Sequence, residues 1–347
     1  MDGPAGAGPM RVLIIDDSVV ARSVLGRMVE GTRRFAVAGA FSDVSAALRW
    51  LDKNRVDAIL LDIEMPGIDG LTALPDIMHA SHGAKVLVVS SSADEGAAVS
   101  VQALALGAAD TLVKPGIGAF GGRFAEVLEE RLSKLFEAPA DTRPKSAGYN
   151  VMTPPRDFDL VAIGASTGGI HALSQFLRAI PPSFQVPILV TQHLPSSFMG
   201  YFAAQLAVLG GRPCEVAVDH MRIRPGRIIV APGDAHMRVV RTSDGAAIRL
   251  THEKSSSGCM PSVDPMFESV AGVFGRRALG VVLSGMGRDG CEGAGDMIDA
   301  GARVIVQDQT SSVVWGMPGA IANAGRASAV LPPDEIGRLV AGRRIRT

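Results

Sequence analysis

Three observations predict two doubly wound, mostly parallel α/β sheets joined by a linker. Short β-branched runs alternate with amphipathic stretches from residue 10 to about 136. The alternation breaks in APADTRPKSAGYNVMTPPRD, which is rich in Pro, Gly, Ser and charge, and resumes from Asp157 with new runs. The length of 347 residues exceeds one ordinary core, so two domains are expected. The expected boundaries are 10–136 for the first domain, 137–157 for the linker and 158–347 for the second domain.

In the first domain the spacing predicts strands at Arg11–Ile15, Ala36–Phe41, Ala58–Leu61, Lys85–Ser90 and Thr111–Val113. Helical periodicity lies between them, for example over Val19–Val29, Val44–Leu51 and Ala97–Leu106. The second domain shows apolar strands at Leu160–Ile163, Val186–Thr191, Arg227–Ala231, Leu279–Leu283 and Val304–Val306. Inside it, HMRVVRTSDGAAIRLTHE alternates with period two around Asp244-Gly245, a hairpin signal. The opening MDGPAGAGP reads as a disordered tail without a basic or apolar signal region, and Met10 as an alternative start.

Composition narrows the function. A net charge of −1 with 5% aromatics argues against nucleic-acid binding. No apolar stretch approaches the roughly 18–20 residues that span a bilayer, so direct membrane insertion is not expected. The three cysteines, Cys214, Cys259 and Cys291, form no CxxC pair and read as small buried thiols in a reducing, cytoplasmic setting.

In the first domain Asp16-Asp17, Asp62, Ser90 and Lys114 each end a β-branched run. Strand ends of a parallel sheet converge on one rim, where ligands bind. Asp17 and Asp62, with the Glu64 carbonyl nearby, suit Mg²⁺, which needs only one or two carboxylates plus phosphate and water. Asp62 is then the best nucleophile for a phosphoryl group, with Lys114 holding the developing charge and Ser90 bonding a phosphoryl oxygen. A cis Lys114-Pro115 peptide would turn the ammonium inward.

IIDDS, LLDIEMPGIDG, VVSS and LVKP resemble the response-regulator receivers, a flavodoxin-like (βα)5 family. The resemblance implies that Asp62 is the phosphoacceptor, that Asp16 and Asp17 form the acidic pocket with Mg²⁺, and that a histidine kinase is the phosphodonor. Thr111 departs from it, since receivers usually carry Tyr or Phe three residues before the lysine.

The second domain opens with a strand running into Gly164-Ala165-Ser166-Thr167-Gly168-Gly169 and then an amphipathic helix. Gly164, Ser166 and Gly168 satisfy G-x-S-x-G on a strand–turn–helix corner, which lifts a hydroxyl above a sheet. The same string could cradle a dinucleotide, but that needs a carboxylate at the next strand end, where Gln192-His193 stand instead. An imidazole there can take the Ser166 proton, and Asp289, in VVLSGMGRDG at the end of another apolar strand, can fix its tautomer, so that three strand ends supply Ser, His and Asp on one rim. The Met286 N–H could donate to an oxyanion. Singly, His193 and Asp289 also fit helix caps, and His236 is the one further histidine of note.

IGASTGG, QHLPSSF, APGDAHM, PSVDPMF, LSGMGRDG and VVWGMPGAI resemble the catalytic domain of chemotaxis-type protein-glutamate methylesterases. The resemblance covers nearly the whole chain, receiver and linker included. It implies Ser166, His193 and Asp289 as the triad, Thr167, Met286 and Trp315 about the oxyanion or substrate, and no cofactor for the ester reaction. The implied substrates are γ-glutamyl methyl esters of chemoreceptors, with deamidation of certain receptor glutamines. It further implies that the unphosphorylated receiver covers the catalytic rim and that phosphorylation loosens it. Ile170-His171 and Trp315 depart mildly from the pattern. A receiver fused to a DNA-binding module would need a short basic three-helix end, and a dehydrogenase fusion would need the absent ribose carboxylate. A dead adaptor would lack the triad, whose residues are all present.

Overall fold

The structure is a computed structural model that describes residues 8–67, 69–90, 95–114, 122–136 and 157–342. The chain divides into two compact units, Met1–Glu137 and Ala138–Thr347. The expected tail, most of the linker and the Lys114-Pro115 peptide lie outside the described residues.

In the first unit the strands are short runs dominated by apolar residues, buried throughout in Ala58–Asp62, and helices alternate with them. The order is β1 (Met10–Ile15), α1 (Val19–Gly31), β2 (Phe35–Phe41), α2 (Val44–Leu51) and β3 (Ala58–Asp62). It continues through α3 (Gly70–Ala80), β4 (Lys85–Ser90), α4 (Glu95–Leu106), β5 (Asp110–Val113) and α5 (Gly122–Leu135). The sheet is parallel with order β2-β1-β3-β4-β5, the flavodoxin-like order expected. Its order reverses between β1 and β3, which sets the ends of those two strands side by side. Ser18, Asp43 and Asp69 cap α1, α2 and α3 by accepting from the N–H of Ala21, Ala46 and Thr72. Strand residues Val12, Ile14, Leu60, Leu87 and Val89 meet Leu128 and Leu132 of α5 in one core.

The second unit carries a seven-stranded sheet and a separate two-stranded one. Its elements begin with β6 (Leu160–Ala165), α6 (Gly169–Arg178), β7 (Ile188–Gln192), α7 (Ser196–Gly210), β8 (Cys214–Val216) and β9 (Ile228–Val230). The hairpin β10 (His236–Thr242) and β11 (Gly245–Thr251) follows, then α8 (Val263–Phe274) and β12 (Ala278–Val282). The chain closes with α9 (Cys291–Asp299), β13 (Arg303–Gln307), α10 (Gly316–Asn323), β14 (Ala329–Leu331) and α11 (Pro333–Ala341).

The large sheet is parallel throughout, in the order β14-β13-β12-β6-β7-β9-β8. From β6 the chain builds to one side and then returns to β12 on the other, so β6 lies at the switch point. The expected hairpin forms, with its turn one residue earlier than expected: Thr242 pairs with Gly245, so Ser243-Asp244 make the turn and Gly245 opens β11. The hairpin forms its own sheet, and Met237, Val239 and Ile248 pack with Met266, Phe267 and Val270 of α8. Strands β8 and β14, three residues each, fall below the length that periodicity detects.

Candidate active site and phosphoacceptor pocket

In the second unit the register places the first two residues. Ala165 pairs with Gln192 across β6 and β7, and the His193 N–H donates to the Ala165 carbonyl at 3.1 Å. Ser166 and His193 therefore leave neighbouring strands at one level, about 4.8 Å being the usual strand spacing. Ser166 is held by its main chain. Its N–H donates to the Ser284 carbonyl at 3.0 Å, and its carbonyl accepts from Gly169 N–H at 2.7 Å and Gln192 Nε2 at 2.9 Å. Every hydrogen bond formed by Ser166 among the described residues is a main-chain one, which leaves its half-buried hydroxyl uncommitted.

Two glycines are required here. Gly168 takes φ +73 at the start of α6, and a side chain on it would strike Val313. A Cβ on Gly285 would lie 2.9 Å from Ser166 Cβ and 2.4 Å from Met317 Sδ.

Asp289 is 2% exposed, yet its oxygens are saturated. Oδ1 accepts from Ser262 Oγ at 2.6 Å and Gly290 N–H at 3.1 Å, while Oδ2 accepts from Val263 N–H at 2.7 Å. Oδ2 also lies 2.7 Å from His193 Nε2. Burial works against its charge, but His193, Ser262 and the Val263 N–H together hold it well below the usual carboxylate range. Burial likewise opposes charge on His193, while Asp289 and the adjacent Cys259 thiol favour the imidazolium and raise its pKa to about 9. The His193 imidazole in turn lowers the Cys259 thiol. With Nε2 engaged by Asp289, the other ring nitrogen, Nδ1, is the one left for proton exchange.

The structure brings His193 and Asp289 into contact and sets Ser166 on the adjoining strand end. Met286 follows Gly285, which packs on Ser166, and its N–H enters no main-chain hydrogen bond among the described residues. The Thr167 carbonyl accepts from Ser284 Oγ at 2.8 Å. Trp315 is 8% exposed and its indole N–H donates to the Gln307 carbonyl at 2.8 Å, so that N–H is not available to an oxyanion. Its ring packs in the core beside Met317 instead.

Sequence reasoning did not find Ser262, Ser284, Gln307 or the role of Cys259. Gln307 Oε1 accepts from the Ser284 N–H at 2.7 Å, and Ser284 Oγ bonds both Thr167 and Val314. His236 is fully buried. Its Nδ1 accepts the Ser262 N–H at 3.0 Å, so Nε2 carries the proton it donates to the Glu253 carbonyl at 2.8 Å. A buried histidine behind PSVD was the available signal; a serine that supports a carboxylate from 27 residues away leaves none.

In the first unit Asp16 and Asp62 are buried at the ends of β1 and β3, and Asp17 is exposed. Lys114 Nζ lies 2.6 Å from Asp62 Oδ2 and 2.8 Å from Asp16 Oδ2. Asp62 Oδ1 accepts the Glu64 N–H at 3.1 Å, and the Ser18 N–H donates to Asp16 Oδ1 at 2.9 Å. Burial raises the Asp62 pKa despite Lys114. Lys114 loses affinity for its proton through burial but gains more from Asp16 and Asp62, and stays charged. Asp16 Oδ2 is buried with the ammonium nearby but no aligned hydrogen bond. Ser90 is buried at the end of β4, and its carbonyl accepts the Lys114 N–H at 2.6 Å. The site residues expected on this rim therefore gather at one switch point.

Residues 161–340 match the family model described as CheB methylesterase, and residues 12–118 match the response regulator receiver domain. The chain is 41% identical over 343 residues to protein-glutamate methylesterase/protein-glutamine glutaminase 2 of Caulobacter vibrioides, covering 96% of this chain and 99% of that protein. It is 37% identical to the protein-glutamate methylesterase/protein-glutamine glutaminase of Azospirillum brasilense, covering 96% and 93%. The crystal structure of the Thermotoga maritima CheB methylesterase catalytic domain aligns with TM-score 0.51 at 32% identity, covering 53% of this chain and 97% of that one. Among the described residues no helix is long and apolar enough to cross a membrane. With its receiver strand ends and its serine corner each at a switch point, the chain belongs to the CheB methylesterase family and carries a response regulator receiver domain.

Proposed function

We propose that Ser166, His193 and Asp289 hydrolyse γ-glutamyl methyl esters of chemoreceptors, and deamidate receptor glutamines, by acyl transfer through Ser166. The observation that carries this reading is an ionised, fully hydrogen-bonded Asp289 against His193, one strand from a serine with an uncommitted hydroxyl. His193 takes the Ser166 proton as Oγ attacks the γ-carbonyl carbon. The negative charge that moves to the carbonyl oxygen is met by N–H donors, Met286 among them; one such donor is typically worth roughly 2.7–4 kcal/mol. His193 returns the proton to the departing methoxide or amide, releasing methanol or ammonia. Water then attacks the acyl-enzyme with His193 again the base, and Ser166 is restored. The test is methanol release from methylated receptor. Ser166→Ala should lower it on the order of 10⁴-fold or more. A folded variant with undiminished release would overturn the nucleophile assignment.

The receiver at 10–136 is proposed to control this activity through residues 137–157. Asp62 accepts the phosphoryl group from a histidine kinase, forming an acyl phosphate, while Lys114 and Ser90 bind its oxygens. Three carboxylates with ligand atoms within 4.8 Å, and a buried Asp16 Oδ2 without an aligned donor, fit a divalent cation. Asp16, Asp17, Asp62 and the Glu64 carbonyl would hold Mg²⁺, which neutralises phosphoryl charge when bound. Magnesium at about 100 times its dissociation constant should stabilise the receiver by roughly 2.7 kcal/mol. A thermal melt tests this, and Asp17→Asn should reduce the shift.

A further inference from the structure

Cys259 stands beside His193 and Asp289 without a step of its own in the ester hydrolysis proposed above. The sequence alone makes it a small buried thiol, but the fold sets it half-exposed beside His193. A sulfur, an imidazole nitrogen and a carboxylate oxygen, from Cys259, His193 and Asp289, all lie within 4.8 Å of one another. Donors at about 2.0–2.3 Å from a tetrahedral zinc stand roughly 3.3–3.6 Å apart, so small side-chain rotations close the set. The His193–Asp289 contact of 2.7 Å must open by less than about 1 Å.

The surroundings suit ligation as well. Ser262 Oγ and the Gly290 N–H hold Asp289 Oδ1, so Oδ2 stays oriented when a cation replaces the shared proton. The Cys259 loop is tied by Ser257 Oγ, which accepts the Cys259 N–H at 3.3 Å, and by Ser255 Oγ, which donates to the Cys259 carbonyl at 3.0 Å. Cys259 and His193 are both half-buried, leaving a fourth position open to water. The donor types are those of borderline and soft cations, not of Mg²⁺.

We propose that Cys259, His193 and Asp289 bind a thiophilic divalent transition-metal ion of the Zn²⁺ class, and that its binding switches off ester hydrolysis. On binding, the sulfur–metal bond forms as the thiol proton leaves to solvent, and the metal takes the His193 Nε2 lone pair in place of the hydrogen bond to Asp289. The ring proton then sits on Nδ1, which has no lone pair left to accept the Ser166 proton. The inhibitory half rests on His193 being the catalytic base; the binding half does not.

The full chain, metal-free and anaerobic, is titrated with Co²⁺ under excess Mg²⁺ that keeps the receiver carboxylates occupied. A thiolate-to-cobalt charge-transfer band should appear, persist in Cys214→Ser and Cys291→Ser, vanish in Cys259→Ser, and be displaced by Zn²⁺. Burial pushes the Cys214 thiol up to about 12, which makes it a poor competitor. In parallel, the Zn²⁺ concentration that halves methanol release should be at least tenfold higher for Cys259→Ser than for wild type. Each rate is normalised to that variant's own metal-free activity. Absence of the band, or its survival in Cys259→Ser, overturns the site. A band without Zn²⁺ inhibition overturns the switch. Failure of the esterase reading shows separately, as no methanol release in the metal-free chain while the band remains.

Discussion

His193 has two neighbours that draw its proton affinity the same way. Asp289 and Cys259 both favour the imidazolium over the burial that opposes it, and the pKa stands at about 9. Only the neutral ring can accept the Ser166 proton, so kcat/KM should climb with pH and reach half its plateau near that value. Removing the thiol in Cys259→Ser withdraws one of the two supports. The rising limb should then move to lower pH and leave more active base at pH 7, as a pH–rate profile in chelated buffer would show. An unmoved limb would mean that Cys259 does not influence the base. Ser262 acts on the same network from the other side, through its 2.6 Å bond to Asp289. A hydrogen bond to a charged group is worth about 1.5–3 kcal/mol, so Ser262→Ala should lower kcat roughly tenfold. Ser262→Thr, which keeps the hydroxyl, should recover most of it.

At the scale of elements, the site exists because the ends of β6 and β7 and the loop after β12 meet where the sheet order reverses. Ser166 follows β6 and His193 follows β7, so the apolar runs preceding them were enough to place both residues in advance. Asp289 was legible as the carboxylate but not in its placement: expected at a strand end, it lies seven residues past the end of β12, on a glycine-rich loop. That loop closes on Ser166 through Gly285, whose missing side chain is the clearance between β6 and α10. Gly285→Ala should therefore displace Ser166, and a misplacement of about 1 Å costs on the order of 10²-fold in rate. Methanol release falling on that scale, with circular dichroism unchanged, is the expected result; full activity would mean that Met317 yields instead. The edges of the sheet were less legible. Strands β8 and β14 are too short to show a period, and the Asp244-Gly245 pair announced a hairpin without saying that it packs on α8. Cys259 was read as bland because thirty residues separate it from Asp289, and only the packing of the β11–α8 segment brings them together.

For the whole molecule the open question is how phosphorylation of one unit reaches the chemistry of the other. The usual aromatic relay is missing: Thr111 pairs with Val88 in the sheet, and its N–H donates to Asp110 Oδ1 at 2.8 Å. A threonine is too small to act as an aromatic wedge. The alternative route is the end of β4. Ser90 is buried there, and its carbonyl takes the Lys114 N–H at 2.6 Å, so a shift of the Ser90 hydroxyl toward a phosphoryl oxygen would draw on both strand ends. A hundredfold release of inhibition requires only about 2.7 kcal/mol, within reach of a rearrangement of one or two hydrogen bonds to a charged group. Acetyl phosphate should accordingly stimulate methanol release by the wild type and not by Asp62→Asn. Ser90→Ala should still take up phosphate, measured by phosphate-affinity electrophoresis, yet lose most of the stimulation. Thr111→Phe should respond like the wild type, because on this route the signal leaves through Ser90 and not through position 111. A Ser90→Ala variant with full stimulation, or a Thr111→Phe variant with an altered one, would return the signal to the β5 side of the pocket.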